Sequence, residues 1–338
     1  MKVYVYRFAG DRYRLAQEER TPRTPEPGEV AVRIRATSLN YRDLITLNYL
    51  AGRKVDGRIP LSDGVGEVIA VGPGVSHCKP GDRVAGCFFQ TWESGRFELR
   101  HHQHDLGGSI DGMLAEEVIL LASGVVRVPD YLSDEEAACL PCAAVTAWVA
   151  LMSRGHLKAS DTVLTLGTGG VSIFALQFAV AVGARVVITS SDDEKLRRAS
   201  ELGAAYTINY RTHPDWEKQV WQWTGQRGVD HVIELGGAGT LGKSLASTAA
   251  GGTVSLIGVL TGFGPPTDSL FPLLARNLTL NGIYVGSHQD FEAMNAFLTA
   301  KAIRPTIDRV FPFSEAEAAF DYLASARHFG KVVIRVAE

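Results

Sequence analysis

Apolar and polar residues alternate in the first part of the chain. Residues 29–35 read Glu-Val-Ala-Val-Arg-Ile-Arg, and residues 66–71 read Gly-Glu-Val-Ile-Ala-Val. A period of two predicts strands with one buried face. Pro73-Gly74 and Pro80-Gly81-Asp82 predict the turns, with proline fixing φ and glycine supplying a left-handed position. After about residue 125 the grammar changes. Continuous apolar runs at 163–166, 185–189, 229–234, 252–257 and 278–285 alternate with helical stretches such as 173–179, 193–202 and 241–250. Strands without alternation are buried on both faces, so this part is expected to form a parallel sheet between helices. From about residue 290 the pattern predicts a helix, a connector containing Pro305, a second helix over 314–326 and a final strand over 331–336. That last strand need not belong to the parallel sheet.

Composition narrows the class without naming it. The chain has 338 residues, 46% of them hydrophobic and 21% charged, enough for about two ordinary cores. A net charge of -3, with no basic stripe between aromatics, argues against nucleic acid and against anionic lipid as partners. Met1 to Tyr6 alternates like a strand and lacks the apolar core of a signal peptide. The apolar stretch at 137–152 is interrupted by Pro141 and Thr146 and is too short to span a bilayer. Four cysteines are too few for a disulfide scaffold, which makes a reducing cytoplasm the expected location.

One motif carries chemistry directly. Gly167-Thr168-Gly169-Gly170-Val171-Ser172 follows an apolar strand and opens a helix, the two contexts of a dinucleotide fingerprint. Gly167 permits the tight turn, and Gly169 lets the backbone approach a pyrophosphate. Unpaired N–H groups from Gly170 and Val171 then face the anion. Ser172 departs from the third glycine, whose role is close packing of helix on strand. The fold expected around this loop is a Rossmann doubly wound sheet.

The next strand end selects the cofactor. An Asp or Glu about 20 residues after the glycines usually accepts the ribose hydroxyls of NAD. Here Val186-Val187-Ile188-Thr189 runs into Ser190-Ser191, two hydroxyls that can donate to a 2′-phosphate, with Lys195 on the following turn and Arg198 beyond it. The expected cofactor is NADPH. Asp192 and Asp193 leave a rival open: they cap the following helix, or one contacts the ribose and the cofactor is NADH.

Ser38-Leu39-Asn40-Tyr41-Arg42-Asp43, Asp63-Gly64-Val65-Gly66-Glu67-Val68, Pro80-Gly81-Asp82-Arg83-Val84, Leu140-Pro141-Cys142-Ala143-Ala144-Val145-Thr146-Ala147-Trp148, the glycine loop and Gly330-Lys331-Val332-Val333 occur in that order. Together they resemble the medium-chain dehydrogenase/reductase superfamily, in its zinc-independent quinone oxidoreductase-like branch. The resemblance implies a GroES-like, partly open β-barrel domain made of 1–125 and 288–338, with a Rossmann domain of 126–287 inserted and an active site in the cleft. It also implies a homodimer joined through Rossmann sheet edges near Val254 and Ile283. Asn40 and Tyr41 would lie near the nicotinamide, with Thr146 touching the cofactor from its helix and Tyr210 approaching the adenosine phosphate. Leu235 and Gly258, in the loops after Glu234 and Ile257, would close over the cofactor with Val285 and Gly286.

Zinc-dependent alcohol dehydrogenases of the superfamily carry a cysteine ligand in the early loop and a His-Glu pair in the next glycine-rich segment. The corresponding stretches here have lost the thiolate and imidazole, so no metal is expected. The four-cysteine lobe of that branch corresponds to about 88–108, which holds His101, His102, His104 and Asp105 but no cysteine; a solvated loop is expected there. Cys139 and Cys142 are expected to be buried structural thiols.

Without a metal, reduction is limited to substrates that accept hydride readily; quinones and α,β-unsaturated carbonyls qualify, because the added charge delocalises onto oxygen. Tyr41 is either the hydroxyl donor to that oxyanion or a pocket wall. A zinc-less protein acting on another carbonyl/alcohol pair, or a non-catalytic NADPH sensor on the same fold, is the alternative. Tyr49, Trp92, Phe263 and Phe271 are expected to shape the substrate pocket.

Overall fold

The computed structural model describes residues 1–266 and 268–337. The chain divides into two compact units, Met1–Val145 with Gly286–Glu338, and Thr146–Val285. In the first unit β1 (Lys2–Phe8) and β2 (Tyr13–Glu19) form an antiparallel hairpin. β3 (Glu29–Ser38), β4 (Asp63–Val71), β5 (Arg83–Gly86), β6 (Glu117–Leu121) and β7 (Val125–Arg127) follow. The second unit contributes β8 (Thr162–Leu166), β9 (Arg185–Ser190), β10 (Tyr206–Asn209), β11 (Val229–Glu234), β12 (Thr248–Leu256) and β13 (Thr279–Gly282). The chain then returns to the first unit with β14 (Ile307–Pro312) and β15 (Lys331–Arg335).

All neighbours in the second unit's sheet are parallel, in the order β10-β9-β8-β11-β12-β13. Counted from its first strand this is 3-2-1-4-5-6, the Rossmann order, with its switch point between β8 and β11. Every residue of β8 is buried, as a strand covered on both faces must be. Leu164, Val187, Ile208, Val232 and Val254 form the core with Trp216 and Val220 from a helix.

The first unit's larger sheet runs β14-β15-β3-β4-β5-β7, with β6 also on β3. Its ends do not pair with each other, so among the described residues it stays open. Alternation is clear where one face is buried: Val30, Val32 and Ile34 of β3 point into a core with Val68, Met113, Val332 and Ile334.

Four expectations change. The boundary expected at 125/126 falls at Val145/Thr146, and the return point moves from 288 to Gly286. Arg83 to Asp134, Ser38 to the Ala138 carbonyl, and the Cys142 N–H to Asp63 tie the intervening segment to the first unit. The helix expected over 241–250 ends at Ser247, because Thr248 already pairs with Val229 in the sheet. The connector around Pro305 leads into a strand, β14, whose exposed, polar-mixed residues carry little periodicity. As expected of the final strand, β15 joins β3 antiparallel in the first unit, outside the parallel sheet.

Candidate functional site

The glycine loop is built as its sequence requires. Gly167 has φ +76, a left-handed conformation that favours glycine, and its N–H donates to Thr189 Oγ1 at 3.3 Å. Gly169 is the extended N-cap of helix Gly170–Val182. The N–H groups of the first turn, beginning with Gly170 and Val171, lack intrahelical acceptors and suit an anion. Ser172 is fully buried, and its hydroxyl donates to the Leu166 carbonyl at 2.7 Å. The residue in place of the third glycine thus bonds helix to strand.

At the end of β9, Ser190 is buried and its Oγ accepts the Asp192 N–H at 3.3 Å. Asp192 caps helix Asp193–Glu201, accepting the Lys195 N–H at 3.0 Å. Asp193 accepts the Asn209 amide at 2.7 Å. Both acids are therefore used locally. Tyr210 donates its N–H to the Ser190 carbonyl at 3.0 Å, which sets the half-exposed tyrosine beside the serines.

A third feature depends on the folded loop. Glu234 ends β11 fully buried, and its carboxylate accepts the N–H groups of Gly236 and Gly237 at 2.7 and 2.9 Å. The hydroxyls of Thr240 and Ser244 complete the set. All four donors are neutral, and they hold the loop that carries Leu235. Gly258 donates to the Glu234 carbonyl, and a Cβ at Gly258 would lie 2.0 Å from the Leu235 carbonyl oxygen. The two loops touch there only because position 258 is glycine. Val285 adopts φ 58, a strained conformation for a β-branched residue.

The first unit holds a separate polar cluster. Asn40 caps helix Tyr41–Leu47, its N–H donating to Asp43 Oδ2 at 2.7 Å. Lys331 of β15 is buried, and its ammonium donates to the Leu39 carbonyl and to Asn40 Oδ1, each at 2.7 Å. Asp63 Oδ2 lies 3.6 Å from the same ammonium. The Asp63 carboxylate also accepts Ser62 Oγ at 2.7 Å, Ser38 Oγ at 3.3 Å and the Cys142 N–H at 3.3 Å. Burial raises the Asp43 carboxyl to about 6, against the opposing pull of Arg42 and the Asn40 N–H. Tyr41 is 40% exposed.

These residues do not suit a zinc ion. Asn40 and Asp63 face an ammonium, which repels a divalent cation, and Ser62 spends its hydroxyl on Asp63. Among the described residues no group of three or more His, Cys, Asp or Glu is placed to hold a metal. The segment expected as a solvated loop is a corrected case: Leu99–His104 is a 3-10 helix with His101 buried, stacked on Trp92 and paired with Thr91. Asp105 is buried between Arg42 and Arg53. Burial raises its carboxyl, and the two arginines outweigh that to leave it below the ordinary value. Burial pushes the Cys139 thiol up to about 12 and raises Cys142 as well, so both stay protonated. Trp92 packs in this aromatic lobe and Tyr49 against Phe8 and Tyr13, whereas Phe263 and Phe271 are exposed.

Gly167, Gly169, Gly170, Val171, Ser190, Ser191, Lys195, Tyr210, Leu235 and Gly258 thus lie within one unit, at or just beyond the carboxyl ends of its strands. Thr146 and Val285 are the first and last residues of that unit, and Asn40, Tyr41 and Gly286 belong to the other. Sequence reasoning missed Lys331 and Glu234. A lone lysine in an apolar strand and a glutamate just before Leu-Gly-Gly were the available signals.

A Rossmann sheet inserted into a β-rich unit defines the architecture of a dinucleotide-linked oxidoreductase. Residues 26–130 match the family described as alcohol dehydrogenase GroES-like domain, and residues 170–300 match zinc-binding dehydrogenase. A zinc-type alcohol dehydrogenase-like protein of Schizosaccharomyces pombe is 43% identical over 95% of this chain and 94% of its own. An acryloyl-coenzyme A reductase of Metallosphaera sedula is 27% identical over 99% of both chains. The crystal structure of an NAD-dependent alcohol dehydrogenase superposes with a TM-score of 0.88 at 32% identity, covering 100% of both chains. The chain belongs to the alcohol dehydrogenase-like branch of the medium-chain dehydrogenase/reductase superfamily, and it is an oxidoreductase of that family.

Proposed function

We propose that the protein is a zinc-independent reductase that uses NADPH to reduce quinones or α,β-unsaturated carbonyl compounds. The observation that carries this reading is the Lys331 ammonium seated against Asn40 and Asp63, where a metal would need ligands. When bound, the cofactor supplies the hydride. The loop from Gly167 and the first turn of helix Gly170–Val182 bind its pyrophosphate. Glu234 holds the Leu235 loop in shape for the nucleotide without adding a free charge. An acceptor that needs no Lewis acid is one whose new charge spreads to an oxygen. Hydride adds to the β-carbon, the π pair moves onto the carbonyl oxygen, and a proton then completes the α-carbon. The acryloyl-coenzyme A reductase relative supports an activated alkene as substrate.

NADPH is favoured because Asp192 and Asp193 are engaged in the helix cap and with Asn209, which leaves Ser190 and Ser191 to face a 2′-phosphate. NADH is the second reading, supported by the NAD-dependent solved relative. Initial rates with NADPH and NADH across a panel of quinones and enones test both readings. Ser191→Asp should weaken NADPH far more than NADH, and equal loss for the two cofactors would refute the 2′-phosphate assignment. Tight NADPH binding without turnover across the panel would favour a sensor.

The same reading includes a cytoplasmic homodimer. β13 is the outer strand of its sheet, with Phe271 and Leu274 exposed on the helix just before it. β12, also expected at the joint, is covered by β13. Sedimentation should give twice the chain mass, and a monomer at micromolar concentration would remove the dimer from the proposal.

A further inference from the structure

We infer that Lys331 locks the Asn40 side chain so that Asn40 Nδ2, in place of the Tyr41 hydroxyl, donates to the oxyanion formed on the substrate. This rests on the carbonyl-reduction reading above and assigns its donor.

Three observations converge. An ammonium has donors and no acceptor, so only the oxygen of a carboxamide can face it. With Lys331 Nζ 2.7 Å from Asn40 Oδ1, the orientation of the amide is set by chemistry, and the NH2 group is turned away from the lysine. Asn40 Nδ2 is buried and has no hydrogen-bond partner. A buried donor left unmatched is costly, and a bound group that accepts from it removes the cost. The main chain of Asn40 is fixed as well, by its N–H to Asp43 Oδ2 and by the lysine bond to the Leu39 carbonyl. Tyr41 offers the opposite case, as a residue 40% exposed.

The lysine also changes the amide's strength as a donor. A positive charge on Oδ1 draws density from the nitrogen and polarises its N–H bonds. As the C–H bond forms at the β-carbon and the π pair arrives on the carbonyl oxygen, the Nδ2–H···O contact gains strength with the developing charge. Interaction that grows toward the transition state is the kind that raises kcat. Asp63, 3.6 Å behind the ammonium, keeps the buried lysine from acting as an uncompensated charge. Lys331 is therefore a positioning residue, and Asn40 is the group that touches the substrate.

The test compares Asn40→Asp, Tyr41→Phe, Lys331→Met and Lys331→Arg in the full-length protein. Asn40→Asp keeps an oxygen for the lysine and replaces the donor with a carboxylate oxygen of equal size. It should lower kcat by about 10²–10³-fold while the NADPH Kd, read from nucleotide fluorescence, stays within about twofold. Tyr41→Phe should lower kcat far less than Asn40→Asp does. Lys331→Met should lower kcat with KM little changed, and Lys331→Arg should recover part of the loss. An Asn40→Asp enzyme within threefold of the parent, or a Tyr41→Phe loss equal to that of Asn40→Asp, overturns the assignment.

A turnover-free measurement separates this inference from the proposed function. 4-Nitrophenolate, an oxyanion with a visible absorbance, is titrated into the NADP⁺-loaded protein. The parent should bind it at least about tenfold more tightly than Asn40→Asp. Equal binding, or none to the parent, overturns the donor assignment whatever the turnover. Tighter binding to the parent with no reduction of any quinone or enone would instead leave the donor standing and sink the proposed reaction.

Discussion

Two buried carboxylates, one in each unit, are stabilised in opposite ways. Glu234 is surrounded by neutral donors: two backbone N–H groups from adjacent glycines and two hydroxyls. Asp63 takes two hydroxyls and one N–H, and in addition faces the Lys331 ammonium. The first arrangement needs a loop to fold back on its own strand end, so the carboxylate specifies local shape. The second needs a lysine from the far end of the chain, so it joins β4 to β15 and places a cation inside the unit. Burying a charge is tolerable in both cases because each carboxylate is matched by donors; only the second also leaves a directed positive charge for its neighbours.

The comparison breaks first at Lys331. Lys331→Met strands the Asp63 charge and should destabilise the protein by roughly 3–5 kcal/mol. Asp63→Asn in the same chain should recover much of that loss, and chemical denaturation of the two single variants and the double variant measures the coupling. Strict additivity would show that the pair does not interact.

Asp43, a third buried carboxylate, sharpens the contrast through pH. Its folded-state value is raised from 3.8 to about 6, so the folded protein holds this proton more tightly than the unfolded chain. The contribution is full below the unfolded value and disappears as pH rises through about 6. It amounts to roughly 3 kcal/mol at 1.36 kcal/mol per unit. Relative to Asp43→Asn, the parent should therefore lose stability between pH 4 and 7, and denaturant midpoints across that window check the sign. A difference independent of pH would refute it.

Glu234→Gln is expected to cost less, about 2 kcal/mol, because one oxygen remains while an NH2 now meets donors. Unlike Lys331→Met, it should also weaken nucleotide binding, by loosening the loop that bears Leu235. Thermal melts with and without NADPH separate the two effects. The smallest change is Ser172→Ala, about 1 kcal/mol for one lost buried hydrogen bond, with the NADPH Kd nearly unchanged.

How much of this was legible follows from distance along the chain. The glycine loop, the parallel sheet and the serine-ended strand are local patterns, and Gly167, Ser190 and β8 stand where their sequences placed them. Lys331 and Asn40 are 291 positions apart. No periodicity links them, and a lysine among valines reads only as an interruption. Glu234 looked like the polar end of a strand, since its partners Thr240 and Ser244 reveal themselves only when the loop turns back. The early end of the helix at Ser247 has the same cause: Thr248-Ala249-Ala250 suits a helix by composition, and strand pairing with β11 overrides it. His101 was misread because a polar residue on a short segment can still be enclosed by aromatics, here Trp92 and Phe97.

Ser172 has a consequence for how phosphate loops are recognised. Its side chain occupies the interval between helix and strand and closes it with a bond to Leu166. Position six of such a loop is therefore a joint, to be judged by whether the side chain can reach the carbonyl beneath it. A threonine there would bring the same hydroxyl with a methyl group to house, and an alanine would fit the space without fastening it. A search pattern that admits only glycine measures clearance and overlooks attachment.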